Sequence, residues 1–214
     1  MIVDERVSCY IKSLTAYNSD FLEKLREKAL EAKVPIIKRE TESFLKTFLL
    51  LKKPKRILEV GAAVAYSSLV MAETLEGNVK ISTIENYEKR VLEARKNIKD
   101  SHYSNIIHLI KEDASKVLKE LVEKEEKYDF IFMDAAKGQY INWLEPVIKL
   151  LNKEGVLCSD NVLQGGDIVQ SRYIIERRDR SIHSRLREYL YELTHREELS
   201  TTILSLGDGV ALTV

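Results

Sequence analysis

The sequence predicts an α/β fold: a mainly parallel seven-stranded sheet with a C-terminal antiparallel hairpin, preceded by N-terminal helices. Three observations carry the prediction. From Lys55 onward, short apolar runs alternate with amphipathic stretches of about 10–15 residues, the pattern of βαβ units around a sheet buried on both faces. The chain closes on two further apolar runs joined by Gly207-Asp208-Gly209, a hairpin signal. Before Lys55 the apolar residues recur at helical rather than strand spacing. With 214 residues, 44% hydrophobic, only 3 Pro and 8 Gly, and neither a linker run nor an internal repeat, one core is expected. The chain thus reads as one domain over 1–214, with a helical extension over 1–53 and an α/β core over 54–214.

Taken in order, Asn18-Ser19-Asp20 offers a helix cap before Phe21, Leu22, Leu25, Ala29 and Leu30, which share one face. Pro35 interrupts that helix because proline cannot continue the hydrogen-bond ladder. A second helix carries Phe44, Leu45, Phe48 and Leu49 on one side and stops at Lys52-Lys53-Pro54. Strands are expected at Arg56–Val60, Lys80–Ile84, Asn105–Ile110, Tyr128–Met133 and Val156–Ser159. Helices are expected between them at Ser67–Glu76, Tyr87–Lys99, Ala114–Glu123 and Tyr140–Leu150. A long charged helix should run from Glu176 to Thr194, followed by strands Ser200–Leu206 and Gly209–Val214.

Composition excludes several classes. Lys+Arg and Asp+Glu each number 34, so the chain is no globally basic nucleic-acid coat, although a local patch is allowed. No run approaches the roughly 18 apolar residues of a membrane span. Asp4, Glu5 and Arg6 precede any apolar core, unlike a signal peptide. Cys9 and Cys158 are too few and too far apart for a disulfide scaffold or a zinc site, so a reducing, cytoplasmic setting is expected.

Ligands of an open α/β sheet sit outside the carboxyl ends of its strands. Here those ends form a series: Glu59-Val60-Gly61, Glu85, Glu112-Asp113-Ala114, Asp134, and Asp160-Asn161. The first turn holds one glycine rather than three, and Ala63 and Ala65 narrow the approach a pyrophosphate needs, which argues against a dinucleotide. An adenosine ligand without phosphates would tolerate the turn. Glu85 stands where an acid accepts ribose hydroxyls, and Asp113-Ala114 would meet an adenine edge. S-adenosylmethionine fits that description. Asp134, Asp160 and Asn161 are hard oxygen donors suited to Mg²⁺, Mn²⁺ or Ca²⁺, with loop capping the plainer alternative.

The runs Ile57-Leu58-Glu59-Val60-Gly61, Tyr66-Ser67-Ser68, Asp134-Ala135-Ala136-Lys137-Gly138-Gln139-Tyr140 and Ser159-Asp160-Asn161-Val162-Leu163 resemble the metal-dependent class I S-adenosylmethionine O-methyltransferases. Catechol and caffeoyl-CoA O-methyltransferases are in that group. The resemblance implies a Rossmann-like class I methyltransferase fold. It implies Asp134, Asp160 and Asn161 as cation ligands, and Lys137 beside the reacting hydroxyl with Asp134. It also implies cofactor contacts from Ile37, Glu59, Gly61, Ser67, Glu85, Asp113, Ala114 and Asp134. Homodimers are common in the family. One departure is Ala65, where the family usually has glycine, so weaker cofactor binding or a displaced loop is expected.

The tail is most similar to bacterial tRNA 5-hydroxyuridine methyltransferases, through Arg177-Arg178-Asp179-Arg180-Ser181-Ile182-His183 and Gly207-Asp208-Gly209. Between Arg172 and Arg187 six arginines stand against Glu176 and Asp179. Arg172, Arg177, Arg178 and Arg180 are therefore candidate phosphate contacts, a solvated helix face being the alternative. The favoured substrate is 5-hydroxyuridine at the tRNA wobble position, giving 5-methoxyuridine. A small catechol-like or phenolic metabolite is the alternative, since both offer two adjacent oxygens. A non-catalytic RNA-binding protein on the same fold is the reading from another class.

Overall fold

The computed structural model describes residues 4–214. Seven strands form one sheet in the order β3-β2-β1-β4-β5-β7-β6. They are β1 (Arg56–Val60), β2 (Lys80–Glu85), β3 (Ile107–Lys111), β4 (Tyr128–Met133), β5 (Leu151–Asp160), β6 (Thr201–Leu204) and β7 (Val210–Thr213). The first five run parallel. β7 lies antiparallel between β5 and β6. This is the Rossmann-like methyltransferase fold the sequence predicts.

Eight helices are described: α1 (Glu5–Leu14), α2 (Asp20–Glu31), α3 (Arg39–Lys52), α4 (Tyr66–Thr74), α5 (Glu88–Asp100), α6 (Ala114–Glu123), α7 (Tyr140–Leu150) and α8 (Arg180–His195). Alternation along β1 and β4 sends Ile57, Phe130 and Phe132 to one face of the sheet, where α2, α3, α4 and α5 supply the core. Leu58, Val60, Ile131 and Met133 point to the other face, packed by α6, α7 and α8.

Several boundaries differ from expectation. β5 begins at Leu151 rather than Val156, because a register shift between Tyr128 and Phe130 lets polar Asn152-Lys153-Glu154 extend the pairing. α8 begins at Arg180, not Glu176; the preceding residues form turns closed by the Asp179 amide donating to Glu176 O. Cys9 is exposed on α1, and Cys158 is buried in β5. Among the described residues no helix is long and apolar enough to cross a membrane.

Candidate active site

The carboxyl ends of β1, β2, β3 and β4 open onto one cavity of about 950 Å³. Its walls include Ile37, Gly61, Ser67, Glu85, Asp113, Ala114, Asp134, Lys137 and Asn161, so nine of the candidate residues meet in one place.

The turn after β1 is shaped by close packing. Gly61 has φ +105°, and a Cβ there would lie 2.1 Å from the Asp134 carbonyl oxygen, so only glycine lets β1 and β4 approach at their ends. The chain then passes through Ala63 (φ 45°) and Ala65 (φ 63°), both left-handed, before α4 starts. Ala65 is fully buried and absent from the cavity wall, so its methyl faces the core rather than a ligand. Glu85 holds this turn from across the sheet. Its Oε2 accepts the Ala63 N–H at 2.9 Å, and its Oε1 accepts the Asn86 and Tyr87 amides. Asp113 both lines the cavity and caps α6, its Oδ1 accepting the Ser115 and Lys116 amides.

Glu59 does not reach the cavity. It is fully buried beneath the turn, where its Oε2 accepts the hydroxyls of Ser68 and Thr83. Alternation explains this: with Val60 and Gly61 turning toward the cavity, the preceding side chain points under α4. Burial pushes its carboxyl up against the pull of the neighbouring hydroxyls.

Asp134 and Asp160 lie at the ends of adjacent strands, with Asn161 next in the turn. Asp160 is 1% exposed; its Oδ1 accepts the Asn161 amide at 2.7 Å, and its Oδ2 has no partner. Burial, and then the charge of Asp134, push its carboxyl up to about 7. Burial also raises Asp134, which the Lys137 ammonium pulls back down while Asp208 adds to the rise. A hard divalent cation fits this donor set: two carboxylates stand at adjacent strand ends beside an amide oxygen, the charge of Asp134 raising Asp160, and one buried carboxylate oxygen is unpartnered.

The candidate arginines stand elsewhere. Arg172, Arg177, Arg178 and Arg180 are not on the cavity wall. Arg178 pairs with Glu176 and Asp179, and Arg180 donates to the carbonyls of Ile175 and Tyr173. Arg185 and Arg187 donate to Gly138 O and Ile168 O, so of the six arginines two brace their own segment and two tie α8 to neighbouring turns. Local acids and unsatisfied turn carbonyls compete for a guanidinium, which charge counting in a sequence does not register.

The cavity also holds residues the sequence reading did not assign. Lys38 and Asp208 line it and pair with each other at 2.7 Å, joining the segment before α3 to the β6–β7 hairpin. Asp208 was visible only as part of a turn signal. Tyr66, Tyr87, Arg90 and Gln139 also face it, and no spacing rule marks them. Trp143 reaches the wall while its Nε1 donates to Ser115 Oγ at 2.9 Å. Tyr10 and Tyr17, on and just after α1, are exposed and away from the cavity wall.

Comparison with known proteins agrees with this architecture. The profile of the O-methyltransferase family matches residues 12–214. A catechol O-methyltransferase of Niastella koreensis is 30% identical over 77% of this chain and 76% of its own. A Staphylococcus aureus structure described as a caffeoyl-CoA O-methyltransferase is 30% identical, covers 98% of this chain and 99% of its own, and superposes with a TM-score of 0.89. A Podospora anserina methyltransferase solved with S-adenosylhomocysteine is 25% identical over 98% of this chain and 93% of its own, with a TM-score of 0.86. With the family profile spanning nearly the whole chain, this protein belongs to the O-methyltransferase family.

Proposed function

We propose that the protein transfers the methyl group of S-adenosylmethionine to one of two adjacent oxygens on a small catechol-like ring, at a divalent-cation site. The observation that carries this reading is the meeting of an acidic, oxygen-donor strand end and a glycine-tightened turn on one cavity. Asp134 and Asn161 line one side, with the unpartnered Asp160 carboxylate buried just behind them and off the cavity wall, and the Gly61 turn held by Glu85 stands at the other.

S-adenosylmethionine supplies an electrophilic methyl group. Glu85 keeps lone pairs for ribose hydroxyls beyond those used on backbone amides. Asp113, Ala114 and Trp143 line the adenine end; Gly61, Ser67 and Ile37 enclose the remainder. Asp134, Asp160 and Asn161 would hold Mg²⁺, with Mn²⁺ or Ca²⁺ compatible with the same donors. A bound divalent cation supplies Lewis-acid stabilisation of a substrate oxyanion and orients the two oxygens. Lys137, on the wall beside Asp134, would take the hydroxyl proton at Nζ as the neutral amine; as the ammonium it would face the oxyanion with its charge while the proton leaves to water. As the methyl passes from sulfur to oxygen, the sulfonium becomes a neutral thioether and the hydroxyl proton leaves, so charge balances.

A second reading, methylation of 5-hydroxyuridine in tRNA, is favoured by one specific feature. The segment before α8 exposes Tyr173 at 86%, next to Arg172 in the chain and with Arg180 donating to its carbonyl, and α8 reaches the Lys137–Gln139 turn through Arg185 and Gly138 O. An exposed aromatic ring among arginines suits an unpaired base and its phosphates. The names of the relatives support the small-molecule reading over this one.

The same proposal treats 1–214 as one catalytic domain. Arg26 donating to Ile37 O, and the Lys38–Asp208 pair, support a helical extension that completes the cavity. Homodimer assembly is supported by α1, whose Val7, Tyr10, Ile11 and Leu14 form an exposed apolar stripe.

The test is methyl transfer from labelled S-adenosylmethionine with Mg²⁺ or Mn²⁺, offering a catechol panel and tRNA bearing 5-hydroxyuridine side by side. Transfer to catechols that is lost with a chelator is the expected result. Transfer to tRNA alone would replace it with the second reading, and transfer to neither would remove both.

A further inference from the structure

We propose that Tyr140 is a positioning residue: its hydroxyl sets the gap between Asp134 and the Asp160–Asn161 pair, and so the affinity of the site for a divalent cation. The inference rests on the cation reading above.

The parallel pairing of β4 with β5 ends at Met133 and Ser159. One residue further, the two strands hold different partners. The Asp134 amide donates to Val60 O of β1 at 3.0 Å, whereas Asp160 pairs with Val210 of β7. A fork therefore opens where the two carboxylates begin, and Asp134 and Asp160 are not paired across it.

Tyr140 fills that fork. It is the first residue of α7, six beyond Asp134, and its side chain runs back beneath the strand ends. Its hydroxyl oxygen accepts the Ala135 N–H at 3.2 Å and lies 3.1 Å from Met133 O and 3.3 Å from Asp160 O. One phenolic proton is thus shared between a carbonyl of β4 and a carbonyl of β5, while the same oxygen holds the residue after Asp134. The hydroxyl ties together the backbone on both sides of the fork, in place of a ladder bond. It cannot withdraw, because the ring is fully buried and packs edge-on against Tyr189 with centroids 5.4 Å apart. Divalent cations accept only a narrow range of oxygen distances, so a fork free to widen by a few tenths of an ångström would bind one less well.

Tyr189 provides an internal control. It is equally buried, but its hydroxyl meets the Ser159 side chain at 2.6 Å rather than the backbone at the fork. A merely structural role would make Tyr140→Phe and Tyr189→Phe alike, since each deletes one buried hydroxyl. The decisive measurement is Mn²⁺ binding to the purified full chain without methyl donor or acceptor, read by electron paramagnetic resonance of free Mn²⁺. Thermal unfolding of both variants in parallel checks that the fold is kept; both midpoints should fall by a few degrees. Tyr140→Phe should weaken Mn²⁺ binding about tenfold, the range for residues that orient metal ligands, while Tyr189→Phe stays within about twofold of the parent. In turnover, Tyr140→Phe should need more Mn²⁺ for half-maximal rate and recover most of its kcat at saturation. Unchanged Mn²⁺ affinity in Tyr140→Phe, or equal losses in the two variants, would overturn the proposal. Absence of Mn²⁺ binding by the parent protein would overturn the cation reading and this inference with it.

Discussion

Strand β4 carries an aspartate near each end, and the two live in opposite circumstances. Asp129, near the start, accepts the amides of Lys55 and Arg56 through Oδ2 and the Asn152 side chain through Oδ1. Its partial burial would raise its carboxyl, but those hydrogen bonds win and hold it below the usual carboxylate range. Asp134, just past the other end, is raised by burial, and so is its neighbour Asp160, which keeps one oxygen without a partner. A carboxylate surrounded by donors contributes to stability and has little left to offer a ligand. A pair of buried carboxylates short of donors costs stability until a cation arrives, and this frustration distinguishes a site from a brace.

Substitutions at these carboxylates would break or sharpen that contrast, and one at the cofactor turn sets its scale. The largest effect is expected at Asp160. Asp160→Ala should lower methyl transfer at least about a hundredfold, measured as kcat/KM, through loss of cation and orientation together. Without cation, Asp160→Asn should unfold at a higher temperature than the parent, because mutual repulsion is relieved; a lower midpoint would show that the carboxylates are not frustrated.

Next comes Asp129→Ala, which strands two backbone amides and the Asn152 amide. It should cost about 1–3 kcal/mol in denaturant unfolding with turnover per folded molecule unchanged.

The pH dependence should show opposite signs at the two ends. Asp160 binds its proton more tightly folded than unfolded, so its contribution opposes folding increasingly as pH rises from about 4 to about 7. Asp129 binds its proton less tightly folded, so its contribution is present above the ordinary aspartate value of 3.8 and is lost as pH falls below it. Cation-free unfolding of Asp160→Asn and Asp129→Asn across pH 3–8 would separate them. The Asp160→Asn advantage should grow toward pH 7, and the Asp129→Asn deficit should vanish in acid.

The smallest effect is expected at the cofactor turn. A left-handed alanine costs about 1 kcal/mol, which glycine would relieve while losing methyl burial and gaining freedom when unfolded. Ala65→Gly should therefore change stability by less than about 1 kcal/mol, whereas Ala72→Gly inside α4 should lose about 1 kcal/mol or more. A large loss at Ala65 would mean that its methyl, not its backbone, is what the turn needs.

Much of this was legible in the sequence because periodicity and strand-end position are local properties. Glu85, Asp113, Asp134 and Asn161 follow short β-branched or aromatic runs directly, and parallel strands carry such residues to one edge. Glu59 was misplaced by a single residue of alternation, which decides between cavity and core. The arginine segment was read as free charge, yet Arg178, Arg180, Arg185 and Arg187 find acids or carbonyls nearby in space. β5 was read short because Asn152-Lys153-Glu154 looks like a loop; a register shift and the Asn152 bond to Asp129 make it strand.

The residue order alone determined the layer architecture, the edge of the sheet that bears the chemistry, and the types of donor gathered there. Each follows from spacing along the chain, which is covalent. Which carboxylates are satisfied and which are left wanting was decided in three dimensions. The partners of Asp129, the fork at Tyr140, and the pairing of Lys38 with Asp208 join residues from 5 to 170 positions apart. Hydrogen bonding depends on tenths of an ångström, and only the packed sheet and its helices set distances that finely.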